Sequence, residues 1–196
     1  RGQWLAFSQE PAGQDNSLCL DDDQEGNLWL GTPRGLFQVR ERLVTLFDVS
    51  DGLSHQKTWS VCEAFDGTIW VGTERGLSSI SPDGKVHAMS GNDTERCVWP
   101  HPRNGVWTSR TSQGLYEVHN GETSRVADAA LFPGSITSLW QDQDGPLYVG
   151  AEGGLLLFDN SVAKPWTRPS GVVAVRNVRS ILRARDGSLW LGTGTN

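Results

Sequence analysis

The chain has 196 residues and a net charge of −6, from 17 Lys and Arg against 23 Asp and Glu. No basic run interrupts that balance, which argues against nucleic acid or an anionic membrane surface as partner. The longest apolar stretch, Leu155–Phe158, is far too short to span a bilayer, so no membrane contact by this chain is expected. Its 23 Gly and 9 Pro recur at intervals and predict turns between short elements.

In chain order, residues 1–8, with Trp4 and Phe7, read as the outer strand of an earlier or closing unit. The sequence then repeats itself. Gly-Asn-Leu-Trp-Leu-Gly-Thr at Gly26–Thr32 returns as Gly-Thr-Ile-Trp-Val-Gly-Thr at Gly67–Thr73. It returns again at Gly145–Ala151 and Gly187–Thr193, with a worn copy at Gly105–Ser109. The aromatic anchors Trp29, Trp70, Trp107, Tyr148 and Trp190 stand 41, 37, 41 and 42 residues apart. A period near 40 with strand-like content predicts one propeller blade per repeat. The blades fall at about 16–50, 57–90, 95–128 and 135–168, with a partial one at 176–196. The expected fold is an all-β propeller of four full blades plus partial blades at both ends, a fragment of a larger propeller.

The second copy shows why. Thr58–Cys62 is β-rich and alternating, Asp66-Gly67 is a hairpin signal, and Ile69–Val71 returns. Leu77–Ile80 and Lys85–Met89 complete an antiparallel meander of four strands. One such sheet cannot bury both faces, so the anchor rings are expected to fill the gap between neighbouring sheets. The glycines after the anchor strand (Gly31, Gly72, Gly150, Gly192) are expected in bulges or tight turns. The third copy, with Asn104-Gly105 at its hairpin and Ser109 in place of glycine, is expected to be shortened there and irregular. Cys19, Cys62 and Cys97 lack metal or redox spacing and read as small hydrophobes of first strands.

Loops on one rim of such a scaffold are where a ligand would sit. The turns between second and third strands carry Arg34, Glu74, Arg75, Arg110 and Gln113, and Glu152 in the fourth copy. The crossings from one unit to the next carry His55, Lys57, Asn92, Asp93, Arg96 and Asn177. Arg34 and Arg75 share a register, and an arginine pair there suits carboxylate or sulfate groups on a sugar-derived or organic-acid ligand. The acid-rich segments Asp21–Gly26 and Asp142–Gly145 hint at calcium but lack the spacing of a complete loop, and acid-Gly turns explain them. The four histidines occupy non-equivalent positions, so no catalytic constellation, metal site or cofactor is expected.

Written out, the repeat is Asp-Gly-x-Leu/Ile-Trp-Leu/Val-Gly-Thr-x-x-Gly-Leu, preceded in one copy by Asp51-Gly52-Leu53-Ser54-His55-Gln56-Lys57-Thr58-Trp59-Ser60-Val61. It resembles the two-component regulator propeller repeat over nearly the whole chain. That resemblance implies the periplasmic ligand-sensing region of a bacterial hybrid histidine kinase or membrane diguanylate cyclase, from a seven-bladed propeller. The output domain is not in this sequence, and the chain itself is expected not to be an enzyme. A propeller enzyme of the streptogramin-lyase type and a passive protein-interaction propeller are the rival readings. Self-association through open blade faces is a further expected contact.

Overall fold

The computed structural model describes residues 18–40, 43–142, 145–167 and 175–194. The expected outer strand at 1–8 lies outside them. The first sheet contains β1 (Cys19–Asp22), β2 (Leu28–Thr32), β3 (Gly35–Arg40) and β4 (Leu43–Phe47) in that order. The second contains β5 (Thr58–Glu63), β6 (Ile69–Thr73), β7 (Gly76–Ile80) and β8 (Val86–Ser90). The third contains β9 (Glu95–Pro100), β10 (Val106–Arg110), β11 (Gly114–His119) and β12 (Glu122–Asp128). The fourth contains β13 (Ile136–Gln141), β14 (Leu147–Ala151), β15 (Gly154–Asp159) and β16 (Val162–Pro165). A fifth sheet pairs β17 (Val178–Arg183) with β18 (Leu189–Thr193). Every pairing is antiparallel between chain neighbours, and each first strand lies beside the first strand of the next sheet. These are propeller blades arranged side by side around their first strands.

Alternation along one strand explains how the blades stack. In β6, Ile69 and Val71 join Trp29, Leu36 and Val61 in the core between the first two blades. Trp70 points the other way, into the core with Val98, Val106 and Val118 of the third blade. A middle strand is therefore apolar on both faces, and every residue of β6 and β7 is buried. Trp107 sits in the core shared with Ile136, Leu139 and Val149 of the fourth blade, and Tyr148 packs against the core containing Val178 and Ile181 of the fifth. Trp190 and its cross-strand partner Leu182 are 65% and 60% exposed.

The glycine after the anchor is not in a turn but within the second strand, and Gly72, Gly150 and Gly192 stand beside the bulges of the first strands, paired with Ser60, Ser138 and Ser180. A Cβ on Gly72 would stand 2.5 Å from the Glu95 carbonyl oxygen of the next blade and 2.6 Å from Ser60 Oγ. Gly31 and Gly150 meet Thr58 and Val178 of their own next blades in the same way. The residue's lack of a side chain admits the neighbouring first strand. Positive φ belongs instead to the turn glycines, such as Gly67 at 80° and Gly76 at 98°.

The third blade departs from expectation in an instructive way. Its hairpin is not shortened: His101 N–H donates to Gly105 O as Ala64 N–H donates to Thr68 O, and Asn104 takes the left-handed place of Gly67 with φ 72°. The missing residues come from the crossing, which runs only from Ser90 to Glu95, against Phe47 to Thr58 before the second blade. The irregularity opposite Ser109 is not special to this copy either. A bulge opens the first strand in four blades and leaves Trp59, Arg96, Thr137 and Arg179 as the extra residues. A second bulge, at Val126, is confined to the β11–β12 pairing among the described residues.

Candidate functional site

One rim collects the turns between second and third strands and the crossings that enter each blade. Backbone hydrogen bonds tie the two sets together. Glu74 N–H donates to Lys57 O and Gly76 N–H to Asp93 O, at 3.0 and 2.8 Å. Glu152 N–H donates to Ser135 O and Asn177 N–H to Glu152 O, at 3.2 and 2.7 Å.

Arg34 and Arg75 occupy identical turns. Each backbone N–H donates to the preceding threonine, Thr32 or Thr73, whose hydroxyl donates to the carbonyl of Gly35 or Gly76. Both arginines are exposed. Between the second and third blades the rim charges converge on Trp59. Lys57 Nζ lies 4.3 Å from the Trp59 ring centroid and Arg96 Cζ lies 5.1 Å from it. Glu74 pairs with Lys57 at 3.1 Å and accepts from Trp59 Nε1 at 2.8 Å. Burial opposes the charge on Glu74, but the bonds from Lys57 and Trp59 outweigh it and hold the carboxyl below the usual range. His55 turns inward, its Nδ1 accepting from Lys57 N–H at 3.1 Å, which makes it a loop-former.

Arg110 and Gln113 serve the scaffold. Arg110 Nε donates to the buried Glu95 at 2.7 Å, and its guanidinium lies 4.4 Å from the Tyr116 ring centroid. Glu95 also accepts from Thr108 Oγ1 at 2.6 Å. Burial still raises its pKa, with those two donors offsetting only part of the effect. In the second blade the same pair of positions holds Thr58 and Thr73. The worn copy has exchanged a threonine pair for an ion pair. Gln113 bridges Asp93 at 2.6 Å and Tyr116 Oη at 3.0 Å. A cavity of about 380 Å³ opens beside Arg110, between Phe132 and Glu152.

Among the described residues, then, Lys57 and Arg110 are matched by carboxylates, whereas Arg75 and Arg96 have no acidic partner. Sequence reasoning missed Trp59 because it counted as an ordinary strand residue. Only the bulge, which the repeat pattern does not reveal, moves it out of the ladder.

The opposite edge holds a second grouping that the sequence did not reveal. His101, Glu117 and His119 offer atoms within 4.8 Å of one another, a set of the type that binds transition metals. His101 Nδ1, however, accepts from Arg103 N–H at 3.0 Å. The neutral ring therefore carries its proton on Nε2, which faces Glu117 at 3.7 Å, and has no lone pair there for an ion. Glu117 stands between two imidazoles, with His119 Nε2 at 3.5 Å. The acid-rich Asp21–Gly26 segment forms a turn: Asp23 accepts from the backbone of Glu25 and Asn27 and from Trp29 Nε1. The three cysteines are free, and burial pushes Cys19 and Cys97 up to about 12. No helix among the described residues is long and apolar enough to cross a membrane.

Residues 52–75 and 174–195 match the family model for the two component regulator propeller. Two crystal structures of the extracellular domain of BT4673 from B. thetaiotaomicron share this fold. One, titled as a one component system, has TM-score 0.78 and 24% identity over 97% of this chain and 27% of that chain. The other, titled as a hybrid two component system, has TM-score 0.73 and 25% identity over 89% and 26%. The chain thus spans about a quarter of the length of these structures. Virginiamycin B lyase from Staphylococcus aureus is similar in fold alone, with TM-score 0.73 and 11% identity over 96% of this chain and 66% of that chain. No curated protein matches the sequence.

Proposed function

We propose that this chain, built of two component regulator propeller repeats, is part of a sensor propeller that binds an anionic ligand at the rim described above. Signalling passes to an attached kinase or diguanylate cyclase domain, with the propeller in the periplasm. The repeat match and the likeness to extracellular domains of bacterial signalling systems support the class. The observation that carries the reading is two rim arginines without an ion-pair partner, Arg75 in its turn and Arg96 over the half-buried Trp59 ring. Guanidinium groups that form no ion pair within the protein can take a ligand carboxylate or sulfate by paired hydrogen bonds. Lys57 and Glu74 fix the Trp59 ring in place.

Calorimetric titration of a panel of organic acids and acidic glycans tests this. A ligand that binds the parent should bind the Arg75→Ala/Arg96→Ala variant at least tenfold more weakly, with the melting temperature unchanged. Arg34→Ala reports whether the first blade takes part. Unchanged affinity in the double variant removes these residues from recognition. Turnover of a lactone would replace the sensor reading with the enzyme one.

A further inference from the structure

The cavity between the first and second blades, on the edge away from the arginine rim, lies outside the proposed sensor site. It measures about 410 Å³, within the size range of small-molecule pockets. Its wall is aromatic: Trp29 and Phe47 stack with centroids 5.8 Å apart, and Phe65 is 51% exposed at the mouth. Its polar rim has a single sign. Asp23, Glu25, Glu63 and Asp66 line it, and among the described residues no Lys, Arg or His does.

The carboxylates are positioned, Asp23 by Asn27 and Trp29 as described above. Glu63 Oε2 accepts from Gln24 N–H at 2.8 Å, which spans the two blades and sets one side of the opening. Asp66 accepts from Thr68 N–H at 3.0 Å within the hairpin that carries Phe65. The corresponding cavity between the third and fourth blades is mixed in charge, with Arg103 and His101 beside Glu117 and Asp159. Among the described residues, the acidic rim is therefore not repeated at the junction of the third and fourth blades.

We infer that this cavity is a binding site for a small organic ammonium ion, its apolar body against Trp29, Phe47 and Phe65 and its charge among Glu25, Glu63 and Asp66. Aromatic faces and carboxylates both attract a cation, and the apolar wall discriminates against a bare metal ion. A neutral molecule of the same shape would gain only the wall, and an anion would be repelled.

Nuclear magnetic resonance titration with three isosteric probes tests the assignment: 2-phenylethylammonium, 2-phenylethanol and phenylacetate. The ammonium ion should shift the Phe65, Gly67 and Trp29 resonances saturably, at least tenfold more tightly than the alcohol, and phenylacetate should produce no shift there. Glu63→Gln/Asp66→Asn should weaken the ammonium at least fivefold, and raised salt should weaken it too. Arg75→Ala/Arg96→Ala should leave it unchanged, which separates this site from the rim. Equal binding of ammonium and alcohol, or no saturable shift with a folded parent protein, overturns the assignment.

Discussion

His101 shows how one side chain can do a turn-former's work and carry a pH dependence with it. Its Nδ1 accepts the Arg103 N–H, as Asp23 Oδ1 accepts that of Glu25 in the first blade. Unlike Asp23, it is packed against Trp107 at 4.5 Å and His119 at 4.3 Å. Burial, and then the charges of His119 and Arg103, lower its pKa to about 4. The unfolded chain, whose histidines titrate near the ordinary value of 6.5, takes up the proton first as pH falls. The stabilisation is complete above about 6.5 and is lost between there and about 4, by an order of 2–3 kcal/mol. Asp21, raised to about 6 by burial and then by neighbouring carboxylates, pulls the other way, so the comparison must be with the parent protein. His101→Asn, which keeps an acceptor for Arg103, should flatten the fall in denaturant midpoint between pH 7 and 4.5. An unaltered slope would show that another group sets it.

At the scale of the strand, the worn third copy is a substitution of one pairing chemistry for another. Arg110→Thr alone leaves Glu95, 2% exposed, as a buried carboxylate without its cation, and should cost about 3 kcal/mol or more. Glu95→Thr alone leaves the partly exposed Arg110 unmatched and should cost less. The double variant rebuilds the Thr58–Thr73 arrangement and should recover most of the loss. A double-mutant cycle by urea unfolding would then give a coupling above about 1 kcal/mol, and additivity would deny the exchange. The anchor-strand glycines make a second strand-level prediction. Gly72→Ala sets a methyl against the Glu95 carbonyl of the next blade and should cost about 2 kcal/mol or more in the same assay. A neutral result would mean that the blades can separate to admit it.

Over the whole molecule, what could be read in advance was whatever the repeat encodes locally. Alternation in Ile69-Trp70-Val71 and the Asp66-Gly67 turn sufficed to lay out a blade, because strand period and turn chemistry are properties of adjacent residues. Glu74 and Lys57 were legible as rim residues from their loops, and they meet in an ion pair. The unreadable parts depend on register between strands. His101 and His119 come together only because β10 and β11 fold back over the hairpin, and the Glu95–Arg110 pair exists only because a bulge shifts β9 by one residue. Trp59 left the ladder for the same reason.

That bulge has a consequence for how such a protein diversifies. The extra residue makes no ladder pairing, so its identity is not tied to the backbone hydrogen bonds of the sheet, and only Thr137 among the four is held to the next blade's Val178 carbonyl. The position holds Trp, Arg, Thr and Arg in four successive blades while the strands around it keep one geometry. The residue at this position can thus change from blade to blade while the architecture around it stays the same.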